Sequence, residues 1–220
     1  MMRGVSIGEL TTARFLELLA SSDPVPAGGC AAAFAGAQGA SLVAMMARVA
    51  LRRADQEEAA ARLEQAASAG DRLAQQLLVL AGQDADAYNQ VMRAYRLPRS
   101  TEKEKEARSE AIRQALSRAA DVPLATIKTA VAALEVLVDE LLPLLPPSVL
   151  PDAGTAGWLL RACVEAASLN VRANWQSMRP SPTDGWERLE SLVGQSRRLF
   201  DRVRSRLGPL SNGGVPAGTA

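Results

Sequence analysis

Residues 24–48 read PVPAGGCAAAFAGAQGASLVAMMAR, and no charged side chain occurs from Pro24 to Met46. A run like this can cross a membrane, cradle a phosphate, or be walled in by other helices. Its length suits a span, since ~20 residues cross the hydrocarbon layer. Its composition does not. Insertion is driven mainly by Leu, Ile, Phe and Val, and here Phe34, Leu42 and Val43, with two Met, are all that supply it. Gly36, Gly39 and Ala40 instead predict close helix–helix contact. The AGGC turn is not a Walker loop, because no Lys-Ser/Thr follows, and no strand precedes it as a dinucleotide fingerprint requires. As a helix N-terminus it offers free N–H groups and partial positive charge to a ligand at Gly28 and Gly29. A tight turn is the plainer alternative.

The rest of the chain reads as helices as well. Aromatics are 4 % of the 220 residues and no alternating strand pattern stands out. The expected helices are 6–20 (with Thr11 or Thr12 inside it), 28–52, 55–95, 102–120, one ending near 142, 152–176, and one ending near 207. Ser100 or Thr101 can cap the fourth, with Glu104 completing a capping box. Pro123 separates the fourth from the fifth or kinks it, Asp152 caps the sixth and Asp184 the seventh. LLPLLPPSVLPDAG must be irregular. The expectation is an all-α fold: one up-and-down bundle of about seven helices over residues 1–208, with a long central helix and a flexible tail, 209–220.

The chain has no His, which removes the usual general base, the usual zinc ligand and every Ser-His or Cys-His pair. Cys30 and Cys163 match no metal-binding spacing, so no metal site is expected. Net charge is +1, which gives no electrostatic case for nucleic acid. MMRGVSIGEL lacks the apolar core of a signal peptide, and reduced cysteines fit a cytoplasmic setting.

In LAGQDADAYNQVMRAYRLP, Asp84 stacks at i+4 and i+7 with Tyr88 and Val91 on the inward face, whereas Asp86 points to water. A carboxylate on a buried face is costly unless paired or functional, and desolvation raises its pKa toward the range useful for acid–base work. A structural Asp hydrogen-bonded to a neighbouring helix fits equally. Asn170 and Asn174, four apart, share one face and could read a polar heterocycle or bond between helices.

These pieces, in order, resemble the cyclodeaminase/cyclohydrolase proteins of folate metabolism. The family pattern P-x-P-G-G-G-S with an Ala/Gly-rich helix corresponds to PVPAGGC and the Ala/Gly run after it; D-A-x-A-[FY] and K-L-P to DADAY and YRLP; the later motifs to STEKEKE, DVPL, PDAG and LNVRAN. The resemblance implies an all-helical homodimer with a tetrahydrofolate derivative as substrate, between helices, and no metal or cofactor; charge and composition, as above, argue against a nucleic acid or membrane partner. It places the catalytic carboxylate on Asp84. It lines the substrate site with Gly28, Gly29, Cys30, Arg53, Tyr88, Asp152, Asn170 and Asn174. Two reactions are implied: hydrolysis of 5,10-methenyltetrahydrofolate to 10-formyltetrahydrofolate, or cyclisation of 5-formiminotetrahydrofolate with loss of ammonia. In both, one carboxylate can take a proton from the attacking group and return it to the leaving nitrogen. The chain departs from the pattern at Ala27 (Gly), at Cys30 (Ser) and in LRRADQ, where Arg53 alone keeps a basic position. Those changes define a second reading: a homologue that keeps the fold as a ligand-binding or scaffold protein.

Overall fold

The computed structural model describes residues 7–178 and 185–208, and every regular element in them is helical. A short 3-10 turn (Ile7–Glu9) leads into α1 (Thr12–Leu19), α2 (Gly28–Leu51), α3 (Glu57–Tyr95), α4 (Glu102–Glu135), α5 (Leu150–Ser177) and α6 (Gly185–Leu207). Helices α2 to α5 form an up-and-down bundle. Gly70 of α3 meets Ala40 and Ala44 of α2, while Gly36 and Gly39 of α2 meet Cys163 and Leu160 of α5, so α2 runs antiparallel to both neighbours. A Cβ on Gly70 would come within 2.8 Å of the Ala44 backbone nitrogen, and one on Gly36 within 2.7 Å of the Cys163 sulfur. The glycines of the uncharged run therefore set the helix spacing. Although α2 is long and apolar enough to span a bilayer, 61 % of its apolar stretch is buried in the bundle.

Leu77, Ile127, Leu134, Leu137 and Leu160 are fully buried between these four helices. Helix α6 closes the α4–α5 side, laying Phe200 and Val203 against Gly157 and pairing Arg197 with Glu165 and Gln195 with Glu135.

Local signals account for several boundaries. Thr101 accepts from the Glu104 N–H at 3.2 Å, and the Glu104 carboxylate accepts from the Thr101 N–H at 3.0 Å, the expected capping box. Of the two threonines expected inside the first helix, Thr12 is its first residue, whereas Thr11 caps it from outside. Asp152 lies in the first turn of α5, which starts at Leu150 after Val149, so it is not the cap. Asp184 falls outside the described residues. The Pro-rich segment 141–154 is irregular only in its first part: after a π turn (Val136–Leu141) come two 3-10 turns (Leu142–Leu144 and Pro147–Val149), but its last five residues, expected to be irregular, already belong to α5, which takes Pro151 in its first turn where no N–H is needed.

One expected boundary is absent. The fourth and fifth helices are continuous, and α4 passes through Pro123. Proline has no N–H, so the carbonyl four residues earlier, Ala119, loses its helical partner. The Asn174 side chain of α5 donates to that carbonyl at 2.9 Å. A neighbouring helix thus supplies the missing bond, and the long helix survives.

Candidate active site

Asp84 sits where α3 crosses the N-terminus of α2. A Cβ built on Gly29 would stand 2.5 Å from the Asp84 Cγ, so the carboxylate rests directly on the glycine backbone. No other residue type leaves room for it. The Cys30 N–H donates to the carboxylate, and the carboxylate gains from the positive end of α2. The Cys30 thiol lies 3.2 Å from the Ala81 carbonyl and 3.5 Å from Asp84 Oδ2, so its one hydrogen has two acceptors. Burial raises the Asp84 pKa, and the thiol and the Cys30 amide oppose that rise. Burial, with Asp84 nearby, pushes the Cys30 thiol up to about 12. Cys30 therefore stays a thiol at neutral pH and acts as a donor, with no thiolate for redox chemistry.

A small apolar cap closes one side. Phe15 of α1 stacks on Phe34 of α2 with ring centroids 4.1 Å apart, and Phe15, Cys30 and Ala85 pack with Ile7, Leu10 and Val25 around them. The Val25–Pro26 peptide bond, in the loop leading to α2, is cis. This cap and the Ala81 carbonyl are absent from the site residues expected from the sequence. The clue available was Phe15 on an amphipathic segment.

The expected site residues divide into groups. Gly28, Gly29, Cys30 and Asp84 come together. Gly28 is exposed with nothing within 4 Å of a built Cβ, so it is open to a ligand, whereas Gly29 is covered by Asp84. Tyr88, expected to be buried, is 37 % exposed. It lies one turn past Asp84, where α3 outruns the start of α2. Asn170 lies level with Gly29 by the α2–α5 register, and its amide donates to Ala166 of its own helix at 3.1 Å. Asn174 serves the Pro123 break, the between-helix option left open for it.

Arg53 and Asp152 are elsewhere. Arg53 follows the C-terminus of α2, ~36 Å from Gly29 at ~1.5 Å per residue. It borders an open cleft of about 400 Å³ with Asp55, Gln56, Leu144 and Pro146. Asp152 begins α5 and lies at that same end by the antiparallel register. Among the described residues no group of three His, Cys, Asp or Glu is placed to hold a metal.

Fold and site together define a class: an antiparallel helical bundle whose half-buried aspartate is seated on a glycine at a helix N-terminus. The chain belongs to the formiminotransferase-cyclodeaminase family, whose profile matches residues 11–183. A methenyltetrahydrofolate cyclohydrolase from Methylorubrum extorquens is 35 % identical over 208 residues, covering 91 % of this chain and 99 % of the relative. The crystal structure of formiminotetrahydrofolate cyclodeaminase from Thermotoga maritima shares the fold, with a TM-score of 0.80 and 24 % identity over 93 % of this chain and 98 % of that one.

Proposed function

We propose that this protein is a tetrahydrofolate one-carbon enzyme that hydrolyses 5,10-methenyltetrahydrofolate to 10-formyltetrahydrofolate, with Asp84 moving the proton. The observation that carries this reading is the Asp84 carboxylate, held between the Cys30 amide and thiol beside an open Gly28. Water attacks the methenyl carbon, which is bonded to two nitrogens, and Asp84 takes one of its protons as the C–O bond forms. The C–N5 bond then breaks, Asp84 returns that proton to N5, and the hydroxyl proton leaves to solvent as the formyl C=O forms. Burial keeps the Asp84 carboxyl readier to hold a proton than a solvated Asp, which suits both halves of this cycle. No metal or bound cofactor enters the scheme.

The cytoplasmic, homodimeric form belongs to the same proposal. So does a small-molecule substrate with no nucleic acid or membrane partner. Arg53 and Asp152 would hold the substrate's remote end only if a second chain brings them near. The departure at Cys30 retains a hydrogen-bond donor toward Asp84, which favours a working enzyme over an inactive homologue.

Purified protein is expected to speed the loss of the methenyl chromophore, and Asp84→Asn to abolish that gain. Wild-type rates equal to buffer would remove the cyclohydrolase reading. Ammonia release from 5-formiminotetrahydrofolate, assayed in parallel, tests the cyclodeaminase alternative that the Thermotoga fold relative suggests.

A further inference from the structure

Cys30 is 0 % exposed, although it stands in the first turn of α2 beside an open Gly28. A side chain with no surface cannot touch a substrate, so Cys30 is not the substrate contact expected from the sequence. Its influence on the reaction passes through Asp84.

The thiol has one hydrogen and two acceptors for it. The Ala81 carbonyl lies 3.2 Å from the sulfur and Asp84 Oδ2 3.5 Å, both on α3 and one turn apart. An S–H group is a weak donor, so the stronger acceptor decides where it points. An ionised carboxylate draws it more than a peptide carbonyl does, because the bond is then charge-assisted. A protonated carboxyl draws it less, and the nearer Ala81 oxygen has a second lone pair beside its helical bond. The exchange needs rotation about the Cβ–Sγ bond alone, and no heavy atom moves. Nor can the carboxylate swing out of reach, because it rests on the Gly29 backbone.

Little else bears on this carboxyl. Burial and Cys30 are what shift it. On its own helix Asp86 is exposed and Tyr88 lies a turn further on. The α1 side is the apolar Phe15 cap, and α5 presents the uncharged Asn170 at this level. The other cysteine supplies a contrast. Cys163 is as deeply buried, packs on Gly36 in the bundle core and has no carboxylate beside it.

We propose that Cys30 is a positioning residue for Asp84, whose thiol hydrogen turns to Oδ2 when Asp84 is ionised and to the Ala81 carbonyl when Asp84 carries the proton. The ionised form thereby gains a donor that the protonated form gives back. A hydroxyl at this position would hold the ionised form more firmly, so the thiol leaves Asp84 readier to take up a proton. The coupling belongs to the resting protein; its effect on turnover rests on the folate reading.

Infrared spectra of the substrate-free full chain across pH test it. The S–H stretch falls in a region clear of other protein bands and moves to lower frequency as its hydrogen bond strengthens. Cys30→Ser removes one of the two S–H bands and so assigns it; Cys163→Ala assigns the pair from the other side if the serine variant does not fold. The carboxyl C=O band that Asp84→Asn removes reports the protonation of Asp84. The Cys30 band should move to higher frequency as Asp84 takes up its proton, with the same midpoint, and should stay fixed in Asp84→Asn. The Cys163 band should stay fixed throughout. A Cys30 band that is unmoved while Asp84 titrates, or that moves equally in Asp84→Asn, overturns the proposal. In turnover, Cys30→Ala should lower kcat by at most about tenfold, leave KM unchanged and move the acidic limb of kcat to higher pH, opposite to Cys30→Ser. A raised KM with an unmoved limb makes Cys30 a substrate contact and overturns it too. A protein without turnover whose Cys30 band still follows Asp84 fails the folate reading and leaves the coupling standing.

Discussion

Replacing Gly29 by alanine adds one carbon to the point where α3 rests on α2. The new methyl would start 2.5 Å from the Asp84 Cγ, and ordinary contact begins near 3.4 Å, so the carboxylate must retreat by about 0.9 Å. That shift breaks its bond to the Cys30 N–H and lengthens the 3.5 Å approach of the thiol. Overpacking of this kind costs about 1–3 kcal/mol. Alanine regains up to about 1 kcal/mol of helix propensity, so the clash wins. A net loss of ~1–2 kcal/mol corresponds to a fall in Tm of roughly 2–8 °C for a domain of this size. The effect on turnover should be larger, because a misplacement of ~1 Å at a reacting group costs ~100-fold. Calorimetry gives the first quantity and methenyl chromophore loss at saturating substrate the second. Gly28→Ala, with nothing within 4 Å of its new methyl, is the stability control and should melt no lower than wild type. If Gly29→Ala keeps both the wild-type Tm and the wild-type kcat, the Asp84 carboxylate is not seated where its function requires.

Three further outcomes rest on the same geometry. Burial raises the folded-state pKa of Asp84, so its ionised form is the costly one; Asp84→Asn should therefore melt at or above wild type at neutral pH, with the difference shrinking as pH falls and Asp84 takes up its proton, which melting curves across pH would show. Cys30→Ser puts a stronger donor beside the carboxylate and should move the acidic limb of the kcat profile to lower pH; an unmoved limb would mean the thiol does not bond to the ionised form. Asn174→Ala leaves the Ala119 carbonyl without a partner and should cost about 1–3 kcal/mol in urea unfolding, whereas in Pro123→Ala, where the backbone N–H returns, the same change should cost much less.

How much of this was legible beforehand differs from residue to residue. The uncharged Ala/Gly run already pointed to a packed helix, and the lack of any histidine fitted the carboxylate that the family resemblance implied. The i+4 and i+7 spacing put Asp84 on the inward face, and Val91 is indeed buried there. Tyr88 shares that face and is exposed, because periodicity gives the direction a residue points and not where the partner helix stops; α2 begins at Gly28, a turn short of Tyr88. Pro123 looked like a boundary because a proline leaves a carbonyl unpaired, and a side chain 55 residues away from Ala119 pairs it.

Arg53 shows the division most plainly. In the sequence it stands beside the motif helix, and nothing local says how far that helix carries it. A straight helix of 24 residues does so, to the opposite end of the bundle from Asp84. Helix type, capping and face are short-range properties, set by neighbours within a few residues, and they can be read along the chain. Which carbonyl an amide satisfies, which glycine a carboxylate rests on, and which end of the molecule an arginine occupies depend on helices meeting across dozens of residues, and these emerge only once the helices are packed.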